Sequence, residues 1–186
     1  MKKLFFSTGN AQKLRMGQSV CERYNIELIQ QKLVIDEIQS EDCEYVARRK
    51  AEAAYELLGQ PVLVSDDAWN IYGLNGFPGT YAKSINTWFT ADDYLRLTRD
   101  LDDRRASVIQ ILVYQDAQTQ RVFSHETMGT ILKEISDTPG QPNEQVISFD
   151  PEGKLSISDM LADGRSHSAE DTVRVWHDFA EWLSKQ

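Results

Sequence analysis

Short apolar runs alternate with amphipathic stretches along the first half of the chain. Residues 4–6 and 26–33 are predicted strands, and the stretch between them carries Leu14, Gly17 and Cys21 on one face of a helix. A second helix is predicted to begin at a Ser40 cap and to end at Gly59, where glycine favours termination. Arg48, Arg49 and Lys50 on this helix are interpreted as a solvated face.

The second half is richer in predicted strands. Its elements are strands at residues 62–64, 106–114, 122–131 and 146–149, and helices at residues 90–101 and from about residue 169 onward. The two long strands at residues 106–114 and 122–131 are expected to run antiparallel. Together with the first half they predict an α/β fold with a long mixed sheet and helices on its faces.

Composition narrows the possible partners. The 186 residues are 41% apolar, which suits one domain over residues 1–186 with a continuous core. The formal charge of −9 argues against broad binding to the phosphate backbone of a nucleic acid polymer, since no run of Lys and Arg supplies a basic face. A small polyphosphate remains open, because a few placed cations and a divalent metal suffice to hold it.

Other features point to the cytoplasm. Cys21 and Cys43 show neither metal-ligand spacing nor a disulfide pattern, so both are interpreted as core residues in a reducing compartment. The N-terminal apolar run is too short for a signal peptide, and no stretch approaches membrane-spanning length. His125, His167 and His177 show no zinc spacing.

A polar segment after the first strand suits an anion. Thr8, Asn10 and Lys13 surround a predicted helix start, where free backbone N–H groups favour phosphate. An Asn cap followed by an exposed lysine explains the same residues equally well. The segment lacks the full phosphate-loop pattern of glycines and lysine.

Three carboxylates form a candidate metal site. Asp66 and Asp67 are expected just past the carboxyl end of the strand at residues 62–64, and Glu37 lies just before the second helix. Hard oxygen ligands of this kind suit Mg²⁺. The alternatives are a turn rich in Asp and Gly for the pair, and three ordinary surface acids for the set.

Taken in order, these segments resemble the inosine triphosphate pyrophosphatase family, which hydrolyses non-canonical purine nucleoside triphosphates. The resemblance rests on Ser7-Thr-Gly-Asn-Ala-Gln-Lys13, Ile35-Asp-Glu-Ile-Gln39, Ala47-Arg-Arg-Lys-Ala51, Ser65-Asp-Asp67, Gly76-Phe-Pro-Gly-Thr-Tyr-Ala-Lys83, Gly129-Thr-Ile131, Ser148-Phe-Asp-Pro151 and Ser166-His167. It implies an elongated mixed sheet, two lobes with a central cleft, a homodimer, and hydrolysis between the α- and β-phosphates.

The resemblance also implies roles for individual residues. Thr8, Asn10, Lys13 and Lys83 would contact the triphosphate, Glu37 and Asp67 would hold Mg²⁺, and Asp66 or Asp67 would orient or deprotonate the attacking water. The remaining roles concern the base, on which Phe149 would stack and whose purine edge Asp150 and His167 would recognise. Catalysis would then rest on positioning and charge neutralisation.

The chain departs from the family pattern at several positions. Ala68 and Trp69 replace a Ser-Gly pair, and Ala162 and Ser168 stand where a lysine and an arginine are expected. The missing cations predict a relaxed or altered base preference. They also leave open a nucleotide-binding protein that has lost most catalysis.

A third alternative is a helical di-metal pyrophosphohydrolase. It is prompted by the acidic side chains of the second helix, which are Glu41, Glu44, Glu52 and Glu56. The β-rich runs disfavour it, because they have no place in an all-helical bundle.

Overall fold

The computed structural model describes residues 1–164 and 170–186. The strands are β1 (Lys2–Ser7), β2 (Ile26–Gln31), β3 (Val62–Ile71), β4 (Phe77–Gly79), β5 (Arg105–Gln115), β6 (Gln120–Ile131) and β7 (Ile147–Ser148). The α-helices are α1 (Ala11–Cys21), α2 (Cys43–Leu58), α3 (Ala82–Trp88), α4 (Ala91–Thr98), α5 (Ile157–Ala162) and α6 (Arg174–Ser184). Among the described residues, no helix is long and apolar enough to cross a membrane.

The strands form one mixed sheet. Their order is β2-β1-β3-β5-β6-β7, and β4 pairs with β3 outside this path. β1 is parallel to both β2 and β3, whereas β3 and β4, and β6 and β7, are antiparallel. The predicted α/β class and mixed sheet are therefore confirmed, and the strands rule out the all-helical alternative.

The chain divides into two compact units, each built from separate segments. The first comprises Met1–Asp67, Gln110–His125 and Val173–Gln186. In its core α1 lies close to α6, since a Cβ at Gly17 would stand 2.5 Å from Trp176. The indole of Trp176 in turn contacts Phe6 of β1 edge to face, with ring centroids 5.3 Å apart. Cys21 belongs to this core, as predicted.

The second unit comprises Ala68–Ile109 and Glu126–Thr172. Its core is centred on the fully buried Tyr94 of α4 and includes Ile71 and Ile147. The predicted helix start at Thr90 is confirmed, because the Thr90 and Asp93 side chains cap each other's backbone. The cleft between two lobes stays a prediction.

The start of α2 differs from the prediction, whereas its end agrees. The N-cap is Asp42, not Ser40, since the Asp42 carboxylate accepts a 3.0 Å hydrogen bond from the backbone N–H of Tyr45. Ser40 instead accepts from the N–H of Asp42 and stabilises the turn before the helix. Gly59 ends the helix with a φ of 66°, which glycine adopts without strain.

The acidic pair lies inside a strand. Asp66 and Asp67 were expected beyond the end of a strand or in a turn, and both expectations are wrong, because β3 continues to Ile71. Ala68 and Ile71 are buried, and residues 69–71 pair with β4. Burial and pairing thus keep the chain extended through the two carboxylates.

The remaining differences concern β4, which was not predicted, and several helices. α3 and α5 were not predicted, and α4 ends at Thr98 instead of residue 101. The last helix was expected from about Ala169; the structure has a 3-10 turn at Glu170–Val173 followed by α6. Ala169 lies outside the described residues.

Candidate active site

The sheet register of the first unit brings the phosphate segment and the acidic pair together. β1 and β3 are parallel, and Ser7 at the end of β1 lies opposite Val64. The chain therefore leaves β1 beside the part of β3 that carries Asp66 and Asp67. Residues far apart in the sequence meet at this point because of one strand pairing.

The turn between β1 and α1 is held by its own side chains. Asn10 is the N-cap, and its Oδ1 accepts hydrogen bonds from the N–H groups of Gln12 at 2.9 Å and Lys13 at 3.2 Å. Thr8 Oγ1 accepts from the N–H of Asn10 at 3.0 Å. The capping alternative for Asn10 is confirmed, and phosphate contacts of Thr8 and Asn10 stay a prediction.

Lys13 reaches into the protein instead of solvent. Its Nζ lies 2.8 Å from Asp67 Oδ2, and the two side chains are only 25% and 21% exposed. Burial by itself lowers the pKa of Lys13, but the charge and hydrogen bond of Asp67 and the charge of Asp66 outweigh it and raise the pKa above 10.5. The exposed-lysine alternative is wrong, and Lys13 is a cation held at the acidic pair.

A second cation, Lys50 of α2, pairs with Glu37 and with Asp66, the neighbour of Asp67. Its Nζ is 2.7 Å from Glu37 Oε1 and 3.6 Å from Asp66 Oδ2, and it donates to the Ser65 carbonyl at 3.3 Å. The side chain is 18% exposed. The interpretation of Lys50 as part of a solvated face is therefore wrong, although its neighbour Arg49 is exposed and pairs with Glu52.

Glu37, Asp66, Asp67, Lys13 and Lys50 are called the charged cluster below. Its three carboxylates face two ammonium groups, and Asp66 also accepts from the backbone N–H of Asp67 through Oδ1 at 2.9 Å. Within the described residues, no group of three or more His, Cys, Asp or Glu side chains is arranged to hold a metal ion. Lys13 and Lys50 offset part of the negative charge of the three carboxylates.

Cys43, the first residue of α2, is a buried neighbour of the charged cluster. Burial is the main reason that the pKa of its thiol rises to about 12, and the negative charges of Asp66 and Asp67 add to the effect. The thiol is therefore protonated at neutral pH, in agreement with the predicted role in the core.

The candidate base-binding residues lie in the second unit. Phe149 follows β7, and its ring stacks on Trp69 of β3 with centroids 6.0 Å apart and planes 24° apart. Asp150 Oδ2 accepts from the backbone N–H of Lys154 at 3.0 Å, and this hydrogen bond is the main reason that the pKa of Asp150 lies below its usual value. The carboxylate is thus ionised and able only to accept hydrogen bonds.

Phe149 and Asp150 border a cavity of about 650 Å³ within the second unit. Other lining residues include Thr127, Gly129 and Asp171. The described residues near it thus combine an aromatic ring with carboxylate acceptors.

Two of the predicted site residues, Lys83 and His167, are assigned neither to the charged cluster nor to the residues that border the cavity. Lys83 lies in the first turn of α3 with an exposed side chain, and His167 lies outside the described residues. Their roles stay predictions.

Comparison with known proteins identifies the family. A family model described as the Ham1 family matches residues 4–163. The chain belongs to the Ham1 family.

Relatives and solved structures agree over nearly the whole chain. A dITP/XTP pyrophosphatase of Methanopyrus kandleri is 31% identical, over 97% of this chain and 95% of that protein. An inosine triphosphate pyrophosphatase of Saccharomyces cerevisiae is 26% identical, over 97% and 95%. The structure of a HAM1 protein from Coxiella burnetii shares the fold with a TM-score of 0.82 at 19% identity and covers both chains fully.

The resemblance inferred from the sequence is thus confirmed, and this Ham1-family chain adds two residues that its sequence did not single out. Lys50 follows Cys43 and Ala47 by seven and three positions and so lies on the edge of the buried face of α2. That spacing was a usable signal for an inward lysine. The contact of Trp69 with Phe149 had no such signal, because it joins residues 80 positions apart in sequence.

Proposed function

We propose that this Ham1-family protein is a nucleoside triphosphate pyrophosphatase. It hydrolyses ITP, dITP and XTP between the α- and β-phosphates and releases the monophosphate and pyrophosphate. The names of the relatives from Methanopyrus kandleri and Saccharomyces cerevisiae support this substrate class. The observation that carries the proposal is the charged cluster, in which Lys13 and Lys50 are held against three carboxylates.

The charged cluster has the groups that phosphoryl transfer requires. The reaction depends more on positioning and on neutralising phosphate charge than on covalent chemistry. Lys13 is charged at neutral pH in spite of its burial, because Asp67 and Asp66 keep its pKa above the ordinary value, so its ammonium is able to bind a phosphate oxygen. In the proposal Asp66 or Asp67 orients the attacking water or takes its proton, and Thr8, Asn10 and Lys83 contact the triphosphate.

The donor atoms of the cluster also fit Mg²⁺, the proposed cofactor. Glu37 and Asp67 offer carboxylate oxygens, the ligands that this hard cation prefers. The nearby Cys43 thiol does not compete as a thiolate, because its pKa of about 12 keeps it protonated. In the proposal Glu37 and Asp67 would hold the metal. When bound, the metal would neutralise part of the negative charge of the phosphates.

Base recognition is proposed for Phe149, Asp150 and His167. An ionised Asp150 accepts a hydrogen bond from the N1–H of a 6-oxopurine such as hypoxanthine or xanthine. Adenine presents an unprotonated N1 at the same edge, which a carboxylate repels. The absence of cations at Ala162 and Ser168 leads us to expect weaker selectivity than a fully matched site would give.

The test is pyrophosphate release. Purified protein incubated with Mg²⁺ and ITP, dITP or XTP should release pyrophosphate and the monophosphate, whereas cleavage at the γ-phosphate would release inorganic phosphate. Asp67→Asn should abolish most of the turnover. Asp92→Asn is the matched control, since Asp92 is an exposed carboxylate that pairs with Arg96, and it should retain full activity.

A nucleotide panel decides between the remaining possibilities. No release above the Asp67→Asn level would refute the enzyme, and stabilisation by ITP without turnover would favour the catalytically impaired nucleotide-binding protein. Strict preference for ITP over ATP would contradict the expected relaxed selectivity. Replacing Mg²⁺ by EDTA should stop turnover if the metal proposal is correct.

The homodimer and the location are further proposals. The dimer rests on the family resemblance, and light scattering after gel filtration would test it by giving twice the mass of 21.3 kDa. A cytoplasmic location is supported by Cys21 and Cys43, which are both free thiols. Fluorescent tagging in the source cell would test the location.

A further inference from the structure

We propose that Trp69 is a positioning residue that fixes the Phe149 ring as the wall on which the nucleotide base stacks. This role depends on the proposed function, which supplies the stacking role of Phe149. Trp69 contributes through Phe149, by limiting the orientations open to the phenyl ring.

The geometry of the two rings supports this role. Their planes are 24° apart and their centroids 6.0 Å apart, which lies in the range where offset stacking of aromatic pairs is favourable. Both side chains are half-buried and pack against the core of the second unit. The indole therefore covers part of the phenyl ring and restricts its rotation about χ1.

Gly129 of β6 restricts Phe149 from another direction. A Cβ at this position would stand 2.5 Å from Phe149 Cδ1 and 2.9 Å from Cε1, and it would collide with the Ser148 carbonyl. The strand is able to approach the ring this closely only because glycine has no side chain. Phe149 thus has fixed neighbours in Trp69 and Gly129, while it also borders the cavity that contains Asp150.

The place of Trp69 in the sheet explains why the indole is itself well held. Trp69 lies opposite Gly79 of β4 in the antiparallel pair. Gly79 places no side chain opposite the indole, and an aromatic residue covers the bare backbone of a cross-strand glycine favourably. A smaller residue at position 69 would leave both Gly79 and Phe149 less supported.

The expected effect is confined to the base. Loss of an aromatic ring on which a base stacks weakens binding by about five- to 150-fold, and we expect about tenfold when the ring stays but is no longer held in place. In the proposal the phosphate tail is bound by the charged cluster, which is formed by residues other than Trp69. Removing the indole should therefore weaken a ligand that has a base and leave a ligand without one unaffected.

Calorimetric titration with inosine 5′-monophosphate and with inorganic pyrophosphate in the presence of Mg²⁺ tests this separation without requiring turnover. Trp69→Ala should weaken monophosphate binding about tenfold and leave pyrophosphate binding within about twofold. Trp69→Phe should restore most of the affinity, because it retains a ring beside Phe149. Leu74→Ala, in the same core, should lower the melting temperature and change neither affinity.

Several results would overturn the role of Trp69. The first is unchanged monophosphate binding in Trp69→Ala. The second is an equal loss of affinity for monophosphate and pyrophosphate in Trp69→Ala, and the third is an equal loss of monophosphate affinity in Leu74→Ala. If Trp69→Ala weakens monophosphate binding but the wild-type protein releases no pyrophosphate from any triphosphate, only the proposed enzymatic activity is refuted. If the wild-type protein turns over and Trp69→Ala binds the monophosphate equally well, only the role of Trp69 is refuted. A wild-type protein that binds no monophosphate would also refute the role of Trp69.

Discussion

Replacement of Lys50 by methionine should destabilise the protein in a way that a divalent metal corrects. Methionine resembles lysine in length and helix propensity, so the substitution removes the charge and leaves α2 intact. It leaves Glu37 and Asp66 without the ammonium that lies 2.7 Å and 3.6 Å from them. Lys50→Met therefore isolates the contribution of this one cation to the charged cluster.

The expected loss of stability in Lys50→Met is estimated from three contacts of Lys50. The bond to the Ser65 carbonyl at 3.3 Å and the pair with Glu37 at 2.7 Å contribute about 1 kcal/mol each, the latter discounted because Glu37 is 40% exposed. The longer approach to Asp66 adds about 0.5 kcal/mol. The total of about 2–3 kcal/mol corresponds to a loss of about 5–10 °C in melting temperature for a chain of this length.

Urea unfolding followed by circular dichroism measures the effect, with EDTA in one series and excess Mg²⁺ in another. Mg²⁺ should restore more stability to Lys50→Met than it adds to the wild type, because the metal replaces the missing positive charge. Arg49→Met is the matched control, since Arg49 is 55% exposed on the same helix, and it should change stability by less than about 0.5 kcal/mol. An equal effect of the two substitutions, or a Lys50→Met protein that Mg²⁺ does not rescue, would refute the reasoning.

Four further predictions concern individual side chains. Asn10→Ala should lower the free energy of unfolding by about 1 kcal/mol in urea titrations, because it removes the cap of α1, and an unchanged value would contradict the capping role. Asp159→Ala should lower the free energy of unfolding by about 2 kcal/mol, because this carboxylate in the first turn of α5 accepts hydrogen bonds from Ser136, Thr138 and Ser156. Cys21 and Cys43 should resist iodoacetamide in the native protein at about pH 8 and react after unfolding, since burial raises the pKa of each thiol to about 12, and rapid native labelling would disprove it. Above neutral pH, the stability difference between wild type and Lys13→Met should be constant up to pH 10.5 and shrink as the pH rises through the higher folded pKa of Lys13, so a difference that grows over this range would be inconsistent with the ion pair.

Local sequence determined the features that depend on neighbours along the chain. Gly59 ends α2 and Thr90 begins α4 as predicted, because capping requires only residues within one turn. The strands predicted at residues 106–114 and 122–131 are confirmed as β5 and β6, since their apolar pattern is a property of the segment itself. The family followed from ordered motifs of the same local kind.

Tertiary structure alone decided which distant side chains meet. The pairing of β1 with β3 brings Lys13 to Asp67, the packing of α2 brings Lys50 to Glu37 and Asp66, and the extension of β3 beyond the acidic pair brings Trp69 to Phe149. Each of these contacts joins segments whose separation along the chain carries no information about their distance in space. Periodicity and capping act over a few residues, whereas ion pairs and ring stacking depend on the register of strands that only the folded chain fixes.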